Sequence, residues 1–391
     1  MARRARETTA AEFAPEVSSR PGAKAFAEIA ARSKGFRPAR EVLRRVRAVP
    51  TIFPGIDHKL RVGGWPIERI SVVHGPSGMG KTALVQGVGF SFLKRGHGFA
   101  LVDAEHTTPI TWLDVLMGAY ADDPMFVASR PSNYEQAVDD VQRHAEGIGE
   151  AKAKGRLPLD TTCFFAVDSL DRLMPIDVIE RMKKHAAENK DGSVDGYSGA
   201  SGMIQAAMNK AWLSRLVPLM HDTGCAIALI ARETEDRNAS ANDRKWGNDW
   251  KVVGGRALKF DSSLSVRVAH AKMIHEDEKD YKSPVVGELH LVEIRKTKVS
   301  ARESEVERCW FSTSNGALTP VGFDRTRDLL ELGCDLEVIK QGGGRYAFGG
   351  NRWHGKNQFL TKVKPEVLDA IEVACRAKFD SQLRADIVGA P

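Results

Sequence analysis

Eight consecutive residues constrain this chain most: Gly75-Pro76-Ser77-Gly78-Met79-Gly80-Lys81-Thr82. They form a complete G-x-x-x-x-G-K-[ST] loop. Ile70-Ser71-Val72-Val73 precedes it and reads as a buried strand, and Ala83-Leu84-Val85-Gln86 follows as the first turn of a helix. Strand, Gly-rich turn and helix are the context such a loop needs. Backbone N–H groups of the turn and of the helix N-terminus wrap a polyphosphate. Lys81 is placed to reach the β- and γ-phosphates, and the Thr82 hydroxyl to hold Mg²⁺.

A chain of 391 residues is expected to form two or three domains with ample core. Hydrophobic content of 42% and charged content of 28% fit a soluble globular protein. No run of about 18 apolar residues predicts a membrane helix, and the Arg-bearing N-terminus lacks the apolar segment of a secretory signal. The cysteines at 163, 225, 309, 334 and 375 are scattered and contain no C-x-x-C pair. Neither a zinc ribbon nor a disulfide framework is expected, and a reducing cytoplasm is the simplest setting. Net charge is +6. The first 50 residues hold 12 Lys and Arg against 5 acidic residues, so the surplus lies in the N-terminal arm. Such an arm suits nucleic acid or an acidic partner surface, or simply keeps the chain soluble.

Residues 1–20 read as disordered. Ala23 to Ala31 predicts a short helix with Phe26 and Ile29 on one face. Arg40 to Val46 is a second amphipathic stretch, broken by Pro50-Thr51-Ile52-Phe53-Pro54-Gly55. Residues 1–54 are therefore expected to be an arm that packs on something else. From 55 to 320, strand candidates (Ile70–Val73, Phe99–Val102, Cys163–Val167, Ala226–Ile230) alternate with helix candidates (Thr82–Leu93, Tyr134–Ile148, Met203–Leu219). That rhythm predicts an α/β core with a mostly parallel sheet. Residues 321–391 read as a smaller unit, with helices at Arg325–Leu332 and Pro365–Phe379.

Ligands of such sheets sit at the carboxyl ends of the strands, so acids there are informative. Phe99-Ala100-Leu101-Val102-Asp103-Ala104-Glu105-His106 ends in carboxylates. Glu105 is placed to orient or deprotonate a water attacking the γ-phosphate, or else to cap a turn. Phe164-Phe165-Ala166-Val167-Asp168-Ser169 is a second such strand. It has the Walker-B pattern, in which Asp168 helps to hold the Mg²⁺ shell. Ser169 either polarises water or caps the next helix.

Two polar stretches interrupt the α/β rhythm, at about 183–201 and 232–256. The second contains Arg237, Arg244, Lys245, Trp246, Gly247, Asn248, Trp250, Lys251, Gly254, Gly255 and Arg256. Cations interleaved with tryptophan suit single-stranded nucleic acid, because bases stack on the rings and phosphates meet the cations. The alternative is that the tryptophans pack back on the core. Lys296 and Lys298 share one face of a strand end, where they meet phosphate or only solvent. Gly342 to Asn357 brings Arg345, Arg352, His354 and Lys356 beside Tyr346 and Trp353. That segment suits nucleic-acid contact or forms a plain β-hairpin.

Taken together, from about Gly55 to Ala374, these landmarks resemble the RecA recombinase family. GPSGMGKT is similar to that family's nucleotide loop. VDAEH has Glu105 at the position of its catalytic glutamate, and AVDSL has Asp168 and Ser169 at its Walker-B site. WGNDWKVVGGRALKF resembles the end of the second DNA-binding loop, with Trp246 before Gly-Asn and Gly254-Gly255 following. Phe260 falls where the family uses a phenylalanine between subunits. Lys296-Thr297-Lys298 resembles the lysine pair that reaches a neighbour's ATP. GGGRYAFGGNRWHGKN resembles the C-terminal segment that gathers duplex DNA.

The resemblance implies a RecA-like P-loop ATPase core with an N-terminal helical arm and a small α/β C-terminal domain. It implies ATP and Mg²⁺ as cofactors. Its partners are single- and double-stranded DNA and further copies of the chain in a helical filament, with no membrane. Homology search and strand exchange follow in the cytoplasm of a bacterial or phage-infected cell. A ring helicase or translocase on the same core, and a DNA-coating scaffold with little turnover, are the alternatives. The sequence departs from the family where Ala231-Arg232 stand in place of Asn-Gln at the root of the second loop. Both loops are longer than usual, and the last residues lack the acidic tail of bacterial members.

Overall fold

The computed structural model describes residues 22–33, 36, 39, 45–188, 198–236, 240, 250–277, 279–300, 307–314 and 322–388. Its strands are β1 (Ala48–Val49), β2 (Trp65–Pro66), β3 (Ile70–Gly75), β4 (Gly98–Asp103), β5 (Phe126–Ser129), β6 (Cys163–Asp168), β7 (Ala226–Glu235) and β8 (Trp250–Val252). They continue with β9 (Leu264–His275), β10 (Val285–Thr297), β11 (Glu307–Ser314), β12 (Gly322–Phe323), β13 (Lys340–Gly342), β14 (Arg345–Phe348) and β15 (Asn351–His354).

The main sheet runs β12-β11-β10-β9-β3-β7-β6-β4-β5, with β8 on β7. From β5 to β9 all neighbouring pairs are parallel, as strands alternating with helices require. The β9 to β12 end is antiparallel. Among the described residues no helix lies between these strands, and a short connection pairs strands only in opposite directions. The architecture is therefore the expected α/β fold, a central, largely parallel sheet with helices.

The two-residue period of the strands sorts their side chains onto two faces. Val73, Phe164, Ala166, Ala228 and Ile230 lie in one core with Leu84, Val88 and Phe92 of the helix Lys81–Leu93. Val72, Phe165, Val167, Ile227 and Leu229 lie in the other. That second core includes Val141 of the helix Tyr134–Ala153 and Trp212 and Leu216 of the helix Ser198–Thr223. Burial on both faces explains why these strands are continuous apolar runs. Toward the carboxyl ends the second face turns polar. His74 Nδ1 meets Glu233 Oε1 at 2.7 Å and His74 Nε2 meets Ser265 Oγ at 2.9 Å. Arg267 Nε donates to Glu233 at 3.0 Å, and Arg267 and Arg295 converge on Glu293 at 3.4 and 2.5 Å. Buried charges persist when paired in this way, and this chain of pairs ties β3, β7, β9 and β10 together directly behind the Gly-rich loop.

A third core contains Leu329, Leu332, Ile339, Trp353, Phe359 and Ile371, which lie between 325 and 388. It carries the small antiparallel sheet β13-β14-β15. This unit meets the helix Pro54–Leu60 through Arg376 and Asp57 at 3.1 Å and through Asp328 and the Gly55 N–H at 3.2 Å. The stretch at 50–55, read as a breaker, leads into that helix, which starts at Pro54. Pro54 occupies its first position, where a missing N–H costs nothing. Val49 and Phe53 beside it belong to the first core.

The two polar stretches are more ordered at their ends than the sequence suggests. The helices Ile176–Glu188 and Ser198–Thr223 take both ends of the first, and 189–197 lies outside the described residues. In the second, β7 extends to Glu235 and β8 returns antiparallel to it. Among the described residues no helix is long and apolar enough to cross a membrane.

Candidate functional site

The Gly-rich loop joins β3 to the helix Lys81–Leu93 at the carboxyl edge of the sheet. Gly75 has φ 147°, and a Cβ there would lie 2.1 Å from the Val268 carbonyl oxygen. Only glycine lets β9 pass that close. The first-turn N–H groups of the helix open toward the loop, where an anion is favoured. Lys81 Nζ folds back and donates to the Pro76 carbonyl at 2.6 Å. A cavity of about 300 Å³ is lined by Gly78, Met79, Gly80, Lys81, Thr82, Ala83 and Trp112. Trp112 is fixed as one wall by its Nε1–H, which donates to Gln86 Oε1 at 2.8 Å.

The parallel pairing of β4 and β6 sets Asp103 opposite Asp168. Asp103 is occupied by the Thr107 and Thr108 N–H groups and by Arg130 Nε at 3.1 Å, so it stabilises the turn after β4. Asp168 faces the loop instead, and the Thr82 hydroxyl donates to its Oδ2 at 2.6 Å. Burial pushes the Asp168 carboxyl up to about 6; the Thr82 hydrogen bond and Lys81 oppose that shift, while Glu105 and Asp103 add to it. Among the described residues no group of three or more His, Cys, Asp or Glu gathers to hold a metal. The Thr82 hydroxyl and Asp168 carboxylate nevertheless fit Mg²⁺, which takes few protein oxygens and fills its shell with water and substrate phosphate.

Glu105 lies beside this pair, its N–H bonded to the Asp168 carbonyl at 3.0 Å. Its Oε1 accepts from Ser169 Oγ at 2.8 Å and from an Arg232 terminal N–H at 2.8 Å, with Arg172 Nε 3.8 Å away. Burial works to raise the Glu105 pKa, but the hydrogen bonds from Arg232 and Ser169 and the charges of Arg232 and Arg172 outweigh it and hold the carboxyl below its usual value. Arg232 stands opposite Gly75 in the β3–β7 pairing, and its Nε is 3.1 Å from Asp171 Oδ2. A carboxylate able to act on water, a carboxylate able to hold a metal and a lysine able to reach phosphate thus converge on one Gly-rich cradle.

Comparison with known proteins agrees with this geometry. The RecA N-terminal domain matches residues 36–148. The chain is 27% identical to protein RecA of Geobacter sulfurreducens over 338 residues, 85% of this chain and 86% of that one. It is 27% identical to protein RecA of Deinococcus radiodurans over 339 residues, covering 85% and 81%, and 28% identical to that of Bordetella avium over 334 residues, covering 85% and 82%. These matches make the chain similar, at low identity, to the RecA family.

Other predicted site residues lie apart from the cradle. Lys296 Nζ donates to the carbonyls of Lys259, Phe260 and Ser262, and Lys298 Nζ to that of Phe260 at 2.8 Å. Both lysines therefore close the end of the short helix Arg256–Asp261 and hold out Phe260, which is 63% exposed. Burial pulls the Lys296 ammonium down to about 8, helped by Lys298. Gly254 accepts from Asn209 Nδ2 at 2.8 Å, and a Cβ on Gly255, at φ 96°, would meet that of Ala206 at 2.8 Å. The Gly pair thus packs the root of the loop onto the helix Ser198–Thr223. Trp250 is exposed, and Lys251 pairs with Asp236 at 2.5 Å. Arg237, Arg244, Lys245, Trp246, Gly247 and Asn248 lie outside the described residues.

In the C-terminal unit Trp353 turns away from the segment's surface. It is buried with its ring 4.8 Å from Phe359, because β15 alternates and Trp353 takes the inward position. Arg345 and Arg352 are exposed on this sheet, and Lys356 pairs with Glu331 at 3.2 Å. Sequence reasoning missed Trp112, Asp171 and Arg172. The signal for the last two was present, since they follow Asp168 within one turn.

Proposed function

We propose that this chain is a DNA-dependent ATPase that assembles as a helical filament on single-stranded DNA and catalyses homology search and strand exchange with duplex DNA. The observation that carries this reading is the convergence of Lys81, Thr82, Asp168 and Glu105 on the Gly-rich cradle. Gly75 to Thr82 bind the triphosphate, with Lys81 leaving Pro76 for the β- and γ-phosphates. Thr82 and Asp168 would hold Mg²⁺, which would supply charge neutralisation for the transferred phosphoryl group. Glu105 orients and deprotonates the attacking water, and Ser169 holds its carboxylate in position. Lys296, Lys298 and the exposed Phe260 supply the surface offered to a neighbouring copy. DNA lies against the loops at 183–201 and 232–256, and Arg345, Arg352 and Lys356 gather duplex. On this reading 1–54 is the polymerisation arm, 55–320 the ATPase core and 321–391 the DNA-gathering domain.

A second reading, a DNA-coating scaffold with little turnover, is favoured by the pairing of Glu105 with Arg232. Strand exchange between homologous single-stranded and duplex DNA separates the two. The recombinase reading expects ATP-dependent product that is lost in Lys81→Ala. Absence of product from the wild-type protein, with DNA coating retained, supports the scaffold.

A further inference from the structure

A second cavity, of about 370 Å³, opens where the C-terminal unit meets the helix Pro54–Leu60. Gly55 and Asp328 lie on its wall, and Asp328 is 9% exposed. The Asp328 Oδ2 accepts from the Gly55 N–H at 3.2 Å, and a Cβ on Gly55 would lie 2.7 Å from Oδ1. Among the described residues Oδ1 has no hydrogen-bond partner. A buried oxygen left without a donor is costly, and the cavity gives a donor its way in. Three groups on the wall report the sign of the field. Burial pushes Asp328 up to about 8, Cys334 up to about 11 and Tyr346 upward, and the Glu331 carboxylate adds to all three. Each is biased toward its protonated form, as in a negative field. Lys356 on the same wall is met by Glu331 at 3.2 Å. Asp335, at the exposed rim, forms no ion pair among the described residues. No three His, Cys, Asp or Glu among the described residues gather to hold a metal, so these carboxyls fit a ligand that spans them rather than one ion. Leu330 and Leu332 give the wall an apolar share that suits a hydrocarbon chain.

We propose that this junction cavity binds a short aliphatic diamine, with one ammonium on Asp328 Oδ1 and the other at Asp335 on the rim. The site is separate from the phosphate cradle and does not rest on the nucleotide reading. An ammonium brings three donors and no acceptor, and its bond to a carboxylate is charge-assisted. On entry of the ammonium the Asp328 carboxyl becomes a carboxylate and its proton passes to the buffer. The bound chain then ties the C-terminal unit to the helix Pro54–Leu60, beside the pair formed by Arg376 and Asp57.

The test is calorimetric titration of the full chain with putrescine at pH 7, without DNA, in two buffers of different ionisation enthalpy. The wild type is expected to bind saturably and to release about one proton, because a carboxyl held up to about 8 is mostly protonated at that pH. Asp328→Asn should bind at least about tenfold more weakly, the worth of one charge-assisted hydrogen bond, and release no proton. Asp335→Asn should weaken binding by roughly threefold, since an exposed pair contributes little, with proton release retained. The uncharged diol of the same chain length should not bind. Unchanged affinity in Asp328→Asn, equal binding of the diol, or no saturable binding by the wild type overturns the inference, and none of these results bears on the nucleotide site. If Asp328→Asn fails to fold, wild-type binding without proton release overturns it.

Discussion

The Thr82 hydroxyl donates to Asp168 Oδ2 at 2.6 Å, joining the first turn after the Gly-rich loop to the end of β6. The bond spans two elements that are 86 residues apart in sequence, so it forms only when the sheet is assembled. It also places a carboxylate pushed up to about 6 by burial next to a phosphate cradle. Without a cation, the charged form of Asp168 destabilises the native protomer.

Asp168→Asn is therefore expected to separate stability from activity. The carboxamide oxygen still accepts from Thr82, and the buried charge is gone. At pH 8 the nucleotide-free variant should be more stable by roughly 1–2 kcal/mol, read as a higher Tm. Its Mg²⁺-dependent hydrolysis should fall at least about 100-fold. A lower Tm with hydrolysis retained contradicts the assignment.

Asp328 predicts a pH dependence of folding. It is buried at the junction with Gly55, and burial first, then Glu331, Asp57 and Asp324, push it from 3.8 to about 8 against the Gly55 N–H. The native chain holds this proton where the unfolded chain has lost it. Stability attributable to Asp328 therefore falls as pH rises from about 4 to about 8, and the penalty is complete above that. Asp328→Asn keeps the acceptor for Gly55 and removes the titration. Thermal melts at pH 6 and pH 9 should show its advantage over wild type growing with pH, by on the order of 2–4 kcal/mol. Parallel curves for the two proteins would show that Asp328 is charged throughout.

The lysine pair predicts an assembly defect. Lys296 and Lys298 hold the carbonyls at the end of the helix that presents Phe260. Replacing both by alanine should lower Tm by only a few degrees, since exposed hydrogen bonds contribute about 1 kcal/mol each. Self-association on DNA with ATP, followed by sedimentation, should weaken at least about tenfold because an apolar anchor loses its support. Wild-type association would place the interface elsewhere.

Much of this molecule was legible in its sequence, for identifiable reasons. The parallel part of the sheet announced itself because strands buried on both faces must be apolar runs, and Asp168 stands out at the end of one. Gly75 to Thr82 fixed the cradle, since few sequences satisfy that turn. The helix at Pro54 was hidden because proline breaks a helix interior and yet begins a helix well. The inward place of Trp353 was hidden because a short Gly-rich segment does not show which of its residues face a core, and strand alternation decides it. The network from His74 to Glu293 and the pairing of Arg232 with Asp171 were illegible for another reason. They depend on register between strands far apart in sequence, which no local pattern records.

The most direct test of the account is ATP hydrolysis with and without saturating single-stranded DNA, in wild type and in Glu105→Gln. The account predicts marked stimulation by DNA in the wild type and a loss of at least about 100-fold in the variant, the usual worth of a general base. Turnover that ignores DNA, or a variant that hydrolyses ATP as the wild type does, contradicts it.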